Sequence, residues 1–196
     1  MPYTSDRAFT DYVHDNLAIS IIYPRFNWTV LKVPKSLAKK LDIGQAIDYV
    51  AVDTDKNLIS VQERFREEKY RNFNDFTIRY MRPENVHEDR RESEFFKMEA
   101  EYFIYGIIDT AKVNYRSATG FVKLAVLNMN ELMKKIDDGI VVIDGDVAGY
   151  TCQKEGNIMK CPVNENKDHS SNFVPFDITI LKDVAPEVII YQKGFC

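Results

Sequence analysis

The feature that most restricts the fold of this chain is an alternation of polar and apolar residues with a period of two. In residues 58–64 the polar side chains of Ser60, Gln62 and Arg64 occupy even positions, and positions 59 and 61 are apolar. Successive side chains of a β-strand point to opposite faces of the sheet. The segment is therefore predicted to be a strand, with Gln62 and Arg64 on the same face.

A second segment, residues 75–80, repeats the pattern. Its polar residues Asp75, Thr77 and Arg79 alternate with two aromatic residues and an isoleucine. We expect this segment to be a further strand of the same sheet, with one apolar face and one polar face. Polar groups inside a protein need hydrogen-bond partners, an ion or a ligand. The polar face of this sheet is therefore the first place to look for a functional site.

An acidic residue, Asp48, lies on the predicted strand 47–53, just before the first of these segments. The residues between the two strands have turn chemistry, so we expect an antiparallel hairpin that can bring Asp48 close to Gln62 and Arg64. An acid on one strand, then a polar residue, a spacer and a cation on the next, is typical of a metal-dependent phosphodiester-cleaving site. A structural ion pair between Asp48 and Arg64 explains the same residues without catalysis, and both interpretations stay open.

Hydrophobic periodicity predicts the remaining elements. We expect helices at 5–18, 36–41, 93–101 and 129–137 and strands at 102–108, 121–127, 149–153, 158–163, 176–181 and 188–192. The sequence shows no internal repeat and no low-complexity linker. These features predict one α/β domain over 1–196, with a strand-rich C-terminal part from about residue 138.

The order helix, strand with an aspartate, strand with a polar-x-cation triplet, strand, helix and strand over residues 5–108 resembles the core of the PD-(D/E)xK nuclease superfamily, which includes restriction endonucleases. The resemblance implies a restriction-endonuclease-like core at 5–137, in which a central mixed sheet is flanked by helices. It also implies an endonuclease that hydrolyses DNA phosphodiester bonds with Mg²⁺ or Mn²⁺. In that family Asp48 would bind the metal, and Gln62-Glu-Arg64 would occupy the (D/E)xK triplet.

The chain departs from the family pattern at two positions, because Gln62 replaces an acid and Arg64 replaces a lysine. The side-chain carbonyl of a glutamine can bind Mg²⁺, but it contributes no negative charge. An arginine stays protonated and cannot act as a general base, although it can hold the scissile phosphate and stabilise the transition state. We therefore expect both residues to act in catalysis, with Gln62 as a metal ligand.

Further candidates lie on the predicted helix 93–101. Glu94 and Lys97 are three residues apart and share a helical face, so Glu94 is a third candidate metal ligand and Lys97 a candidate catalytic ammonium. An exposed helical ion pair is the alternative for these two residues. Three residues are expected to bind phosphates of the substrate: Arg66, Thr77 and Arg79. On the first helix, His14 with Asp11 or Asp15 could complete the site.

Composition and motifs exclude several classes of function. A net charge of −4 argues against non-specific coating of nucleic acid, although a local basic path on a nuclease remains compatible with it. The sequence contains no P-loop, GxGxxG, GxSxG or HExxH motif. The three cysteines match no zinc pattern; Cys152 and Cys161 can face each other across a hairpin, and we expect reduced thiols.

No apolar signal segment or membrane-spanning stretch is present in the sequence, so we expect a cytoplasmic protein with no membrane partner. Nucleic acid, DNA in the first place, is the expected partner, and a homodimer is left open. Two other classes of function also remain. The missing acid at position 62 fits a nucleic-acid-binding module without catalysis, and an internal polar network fits a structural or assembly protein.

Overall fold

The computed structural model describes residues 2–82 and 93–196, with side chains from residue 6 onwards, and it contains three β-sheets. The strands are β1 Thr29–Val30, β2 Tyr49–Val52, β3 Leu58–Arg66, β4 Asp75–Arg79, β5 Tyr102–Ile108, β6 Phe121–Asn128, β7 Val141–Ile143, β8 Gln153–Glu155, β9 Ile158–Cys161, β10 Asn164–Glu165, β11 Asn172–Asp177 and β12 Ile189–Lys193. The α-helices are α1 Pro2–Val13, α2 Lys35–Gln45, α3 Met129–Asp137 and α4 Ile178–Val184.

The largest sheet has six strands in the order β1-β2-β3-β5-β6-β12. Its neighbours are antiparallel except β3 and β5, which are parallel, so the sheet is mixed. The predicted hairpin of β2 and β3 is confirmed. The α/β class and the mixed sheet are therefore confirmed, whereas the restriction-endonuclease-like core stays a prediction.

One face of the large sheet packs against the N-terminal helical segment. Helix α1 continues directly into a π-helix, His14–Ile22, so the helical segment begins earlier and runs further than the predicted helix 5–18. Phe9, Val13 and Ile22 of this segment are buried against Val61 and other apolar side chains of the sheet. Residues 19–23 form an apolar run in which Ile22 and Tyr23 extend the buried face of the helical segment, whereas Ile19 and Ile21 are exposed.

The other face packs against a second core that includes β4, but β4 does not belong to the large sheet. It pairs with β11 in a separate three-stranded sheet, β10-β11-β4. Phe76 and Ile78 of β4 are fully buried in a core that contains Phe103 and Tyr105 of β5. The prediction of a strand at 75–80 is confirmed, and its placement in the same sheet as β3 is wrong, because its apolar face packs onto the large sheet.

The predicted helix 93–101 is wrong: the segment forms one 3₁₀ turn, Glu94–Lys97, and then becomes extended at Met98. The backbone groups that a longer helix would need bind elsewhere. The N–H of Glu99 donates to Gln45 O (2.9 Å), and the N–H of Glu101 donates to Ser60 Oγ (2.9 Å). Anchoring to α2 and β3 therefore replaces the helical hydrogen bonds.

The predicted strand 176–181 is also wrong, because β11 ends at Asp177 and helix α4 begins directly after it. Asp177 Oδ1 accepts hydrogen bonds from the N–H groups of Thr179 (2.7 Å) and Ile180 (3.1 Å). This N-cap satisfies the first free donors of the helix. Apolar, β-branched residues such as Ile178 also serve in a helix when a cap starts it.

A membrane-crossing helix would have to be both long and apolar, and within residues 2–82 and 93–196 no helix meets both conditions.

Gly106 of β5 gives a direct test of the packing between the large sheet and the N-terminal layer. A Cβ atom at this position would lie 2.7 Å from two ring carbons of Phe121 and 3.1 Å from Phe65. We expect Gly106→Ala to lower the free energy of unfolding by about 1–3 kcal/mol, because overpacking forces buried rings to move. Urea denaturation measures the change. Gly120→Ala is the control, since a Cβ there meets nothing within 4 Å, and an equal loss in both variants would contradict the argument.

Candidate functional site

A cleft of about 1200 Å³ opens where β3 continues past Tyr49, the first residue of β2. The pairing of the two strands begins with Val52 opposite Leu58 and ends with Tyr49 opposite Val61. The residues of β3 after Val61 therefore have no β2 residue beside them. The residues of the described chain that line the cleft come from α1, α2, the start of β2 with Asp48, β3 and the segments around Lys69, Arg79, Glu94 and Lys112. The unequal length of the two strands therefore creates the opening.

Asp48 lies at this point and continues the pairing with its side chain. Its N–H donates to Val61 O (2.9 Å), and its Oδ2 accepts the N–H of Glu63 (2.9 Å). The pKa of the Asp48 carboxyl is raised to about 8, chiefly by burial; the charges of Glu63, Asp42 and Glu94 act in the same direction, and the hydrogen bond from the Glu63 N–H opposes them. Asp48 is thus a half-buried, cleft-lining carboxyl that resists ionisation unless a positive charge arrives.

Glu94 connects the predicted Gln62 and Arg64 pair. Its Oε1 accepts a hydrogen bond from Gln62 Nε2 (3.2 Å), and its Oε2 forms an ion pair with Arg64 Nη2 (2.6 Å). The same Oε2 accepts the N–H of Arg79 (3.2 Å). Arg64 therefore forms its ion pair with Glu94. The Glu94 carboxylate also connects its own 3₁₀ turn to β3 and β4.

Thr77 holds two of the arginines in place. Arg64 Nη1 donates to its carbonyl oxygen (2.8 Å) and to its hydroxyl (3.3 Å), and Arg66 Nη2 donates to the same hydroxyl (2.7 Å). Thr77 is buried and is not one of the described residues that line the cleft. Its position suits the orientation of Arg64 and Arg66 rather than direct contact with a substrate.

Arg66 and Arg79 are the two predicted phosphate ligands that line the cleft. The Arg66 guanidinium lies 4.7 Å from the centre of the Tyr70 ring and donates to the Thr77 hydroxyl, and its charge opposes the burial that raises the pKa of Asp75. Burial lowers the pKa of Arg79, with Arg64 acting in the same direction and Glu94 opposing it. Both guanidinium groups can therefore offer positive charge to an anion in the cleft.

The amide oxygen of Gln62 is the most informative atom of the cleft. Gln62 is only 5% exposed, and its Oε1 is buried without a hydrogen-bond partner among the residues that the structure describes. The amide cannot be turned around favourably, because Oε1 would then face an oxygen of Glu94. A buried acceptor without a donor costs about 1–3 kcal/mol. An unpartnered amide oxygen is a ligand type that hard cations prefer, and Asp48 lines the same cleft.

A metal ion here would depend on this amide oxygen. Within residues 2–82 and 93–196, no group of three or more His, Cys, Asp and Glu side chains is placed to hold a metal. Asp48, Gln62 and Glu94 line the same cleft and supply two carboxylates and one amide oxygen. Oxygen atoms of this kind are the ligands that magnesium and manganese prefer, although both Glu94 oxygens already accept hydrogen bonds from Gln62, Arg64 and Arg79.

The opposite face of β3 carries a second buried network that the sequence did not reveal. Glu63 Oε2 lies 2.9 Å from His14 Nδ1, and Glu63 Oε1 accepts the hydroxyl of Tyr23 (2.7 Å). The His14 ring stacks on Tyr49 with ring centres 3.5 Å apart. His14 therefore has Glu63 as its partner rather than Asp11 or Asp15. The signal was present in β3, since Glu63 is the charged residue on its otherwise apolar face.

Helix α2 contributes further residues that sequence reasoning missed. Lys35, Lys39 and Asp42 line the cleft, and their spacing places them along one side of the helix. Burial raises the pKa of Asp42, and Glu94 raises it further, while Arg7 opposes them. Lys97, in contrast, lies in the 3₁₀ turn and is not one of the described residues that line the cleft.

No protein-family model, curated protein or solved structure matches this chain.

The buried contact between Tyr23 and Glu63 can be tested through stability. Tyr23→Phe removes the hydroxyl that donates to Glu63 Oε1 and leaves a buried carboxylate oxygen without that donor. We expect the free energy of unfolding to fall by about 1–3 kcal/mol, as measured by urea denaturation. The matched control is Tyr150→Phe, because Tyr150 is 80% exposed. Equal stability of Tyr23→Phe and the wild type would show that the contact contributes nothing.

The raised pKa of Asp48 predicts a pH dependence of stability. In the unfolded chain this carboxyl titrates near pH 4, whereas in the folded protein its pKa is about 8. Between these values the folded state binds the extra proton, so stability falls as the pH rises towards 8. We expect Asp48→Asn, which can still accept the Glu63 N–H, to remove part of this decrease in urea melts from pH 5 to pH 9.

Asp53 supplies the control for this experiment. The side chain of Asn57 lowers the pKa of Asp53, so its contribution to stability is lost as the pH falls below about 4. Asp53→Asn should therefore leave the slope between pH 5 and pH 9 unchanged. Identical slopes for wild type and Asp48→Asn would contradict the assignment of a raised pKa to Asp48.

Proposed function

We propose that this cleft is the active site of a metal-dependent nuclease that hydrolyses DNA phosphodiester bonds with Mg²⁺ or Mn²⁺, on a restriction-endonuclease-like core. The observation that carries the proposal is the unpartnered oxygen of Gln62, which lies on the triplet that resembles (D/E)xK. A cation bound to this oxygen would satisfy a buried acceptor and also stabilise the ionised form of Asp48.

Asp48, Gln62 and Glu94 would hold the metal. When bound, Mg²⁺ lowers the pKa of a coordinated water molecule and polarises a phosphoryl oxygen. The raised pKa of Asp48 keeps its carboxyl protonated near pH 7, so a metal ion would have to displace this proton in order to bind. Metal binding would therefore release a proton from Asp48.

Arg66 and Arg79 would bind the phosphates on either side of the cut. Arg64 would have two tasks, since it lines the cleft and its contact with Glu94 also orients that carboxylate. An arginine cannot remove a proton from water, so its contribution would be stabilisation of the charge that develops on the phosphorus oxygens. Lys35 and Lys39 would extend the phosphate path along α2.

The charge of the cleft agrees with a local rather than a general attraction to nucleic acid. Its lining within the described chain has eight basic and seven acidic residues, a nearly balanced set. Several of these cations are already paired with carboxylates, for example Lys69 with Glu67 and Lys112 with Asp6. We therefore expect weak, salt-sensitive binding of DNA outside the site and most of the binding free energy at Arg66 and Arg79.

A second candidate is a DNA-binding module without catalysis. The ion pair between Arg64 and Glu94 favours it, because a carboxylate that binds an arginine at 2.6 Å is a weaker metal ligand. In this function Arg66 and Arg79 would still bind phosphates, and Gln62 Oε1 would accept a donor from the ligand.

Cleavage of supercoiled, single-stranded and branched DNA with Mn²⁺ tests the nuclease. We expect the wild type to cut at least one of these substrates and Asp48→Ala to reduce the rate by about 100-fold, the loss typical when a metal site is damaged. The matched control is Asp146→Ala, since Asp146 is an exposed acid outside the cleft. Equal rates for wild type and Asp48→Ala would remove Asp48 from the mechanism.

Calorimetric titration with Mn²⁺ separates the two functions. If the nuclease proposal holds, Gln62→Leu weakens Mn²⁺ binding at least about tenfold, since it removes the free oxygen at similar side-chain volume. The binding module would instead be supported if the wild type binds DNA but takes up no Mn²⁺, and if Arg66→Ala abolishes the DNA binding.

A further inference from the structure

Two cysteines lie side by side at the open end of a small hairpin, away from the cleft. Cys161 is the last residue of β9, and Cys152 directly precedes β8. In the β8–β9 register Gln153 lies opposite Lys160, so the two cysteines occupy the next facing positions. Their sulfur atoms are 3.7 Å apart, and a disulfide needs about 2 Å. Facing positions of neighbouring strands thus hold the two sulfurs close together, and rotation of the side chains is the movement that would bring them to bonding distance.

The surroundings of the two thiols differ in a way that suits stepwise chemistry. Cys161 is fully buried, whereas Cys152 is half-buried and therefore reachable from solvent. The Cys152 thiol also donates to Pro175 O (3.2 Å), which holds its sulfur close to Cys161. The third cysteine, Cys196, is exposed at the C-terminal end and contacts Gly194. The pair is thus preorganised, and Cys196 provides an internal comparison.

We propose that Cys152 and Cys161 form a reversible intramolecular disulfide by exchange with a low-molecular-weight disulfide. The proposal does not depend on the function of the cleft.

The exchange has two steps that balance. The Cys152 thiolate attacks one sulfur of the reagent, so the reagent S–S bond breaks, a mixed disulfide forms and one reagent thiol leaves. The Cys161 sulfur, having lost its proton to solvent, then attacks the Cys152 sulfur and displaces the second reagent thiol. The protein gives up two protons and two electrons, and the reagent disulfide is reduced to two thiols.

The order of attack follows from the environment of Cys161. The hydrogen bond with Cys152, burial and the charge of Cys152 all raise the pKa of the Cys161 thiol. Cys161 is therefore a poor first nucleophile. Once Cys152 carries the reagent it can no longer be charged, which removes the electrostatic contribution of Cys152 to the raised pKa of Cys161. The first step thus prepares Cys161 for the second.

Oxidation of the two thiols would also affect β4, through the neighbouring strand β11. The disulfide takes the thiol proton away from Pro175 O, and Pro175 lies opposite Thr77 in the pairing of β11 with β4. Thr77 is the residue that binds Arg64 and Arg66. The two thiols are therefore connected to Arg64 and Arg66 of the cleft through Pro175 and Thr77.

Peptide mapping of the full chain after equilibration in a buffer of oxidised and reduced glutathione tests the proposal. Free thiols are first blocked by alkylation, and trypsin then cuts after Lys154 and Lys160, between the two cysteines. We expect the peptide of residues 136–154 to stay linked to that of residues 161–167, with release of 155–160. Dithiothreitol should separate the linked peptides, and Cys196 should be alkylated throughout.

Three variants make the result decisive. Cys196→Ser should give the same linked peptides as the wild type. Cys152→Ser and the milder Cys152→Ala should abolish the link, and both leave the buried Cys161 in place so that folding is preserved. The proposal is overturned if wild-type Cys152 and Cys161 both remain open to alkylation after unfolding, if glutathione stays attached to Cys152 without a link to Cys161, or if the main link involves Cys196.

Discussion

The hydrogen bond from the N–H of Glu63 to Asp48 Oδ2 is the interaction on which the candidate site depends. It occupies the place where another residue of β2 would continue the ladder, and it therefore ends the hairpin while satisfying the exposed edge of β3. If β2 were longer, its residues would fill the cleft. If nothing bonded to this edge of β3, the N–H of Glu63 would be a donor without an acceptor. The carboxylate meets both requirements and becomes part of the cavity wall, which is why its ionisation is suppressed.

This arrangement places two polar networks on opposite faces of one strand. Gln62 and Arg64 face Glu94, while Glu63 between them faces His14 and Tyr23. A buried charge is tolerated only when hydrogen bonds replace its lost hydration, and each glutamate has such partners. The two networks meet at Glu63, whose backbone holds Asp48 and whose side chain anchors the π-helical layer.

Apolar patterns in the sequence were sufficient to predict β2, β3, β4, β5 and β6. Each of these strands has alternating or continuous apolar residues between turn signals. The patterns could not assign β4 to its sheet, since an apolar face packs equally well beside a strand or across from it. The helix at 93–101 failed for a related reason: Ser60 and Gln45 compete for its backbone N–H groups, and both are remote in sequence.

Within the site, strand parity identified Gln62, Arg64 and Arg79, and the dense run Arg64-Phe-Arg66 added Arg66; these four do line the cleft. It could not place His14 opposite Glu63, because that contact requires the helical layer to lie on the apolar face of β3. Contributions from α2 were missed because lysines on a short helix look the same whether they face solvent or a cavity.

The parallel pairing of β3 with β5 has a consequence for how the chain folds. Gln62 lies opposite Phe103, and the intervening residues include β4, which joins a different sheet with a strand from the C-terminal part. Such pairing is non-local, and the entropy of loop closure delays it relative to hairpins. We expect the β2–β3 hairpin to form early and the cavity wall to assemble only at the end of folding, when the tail of the chain has docked.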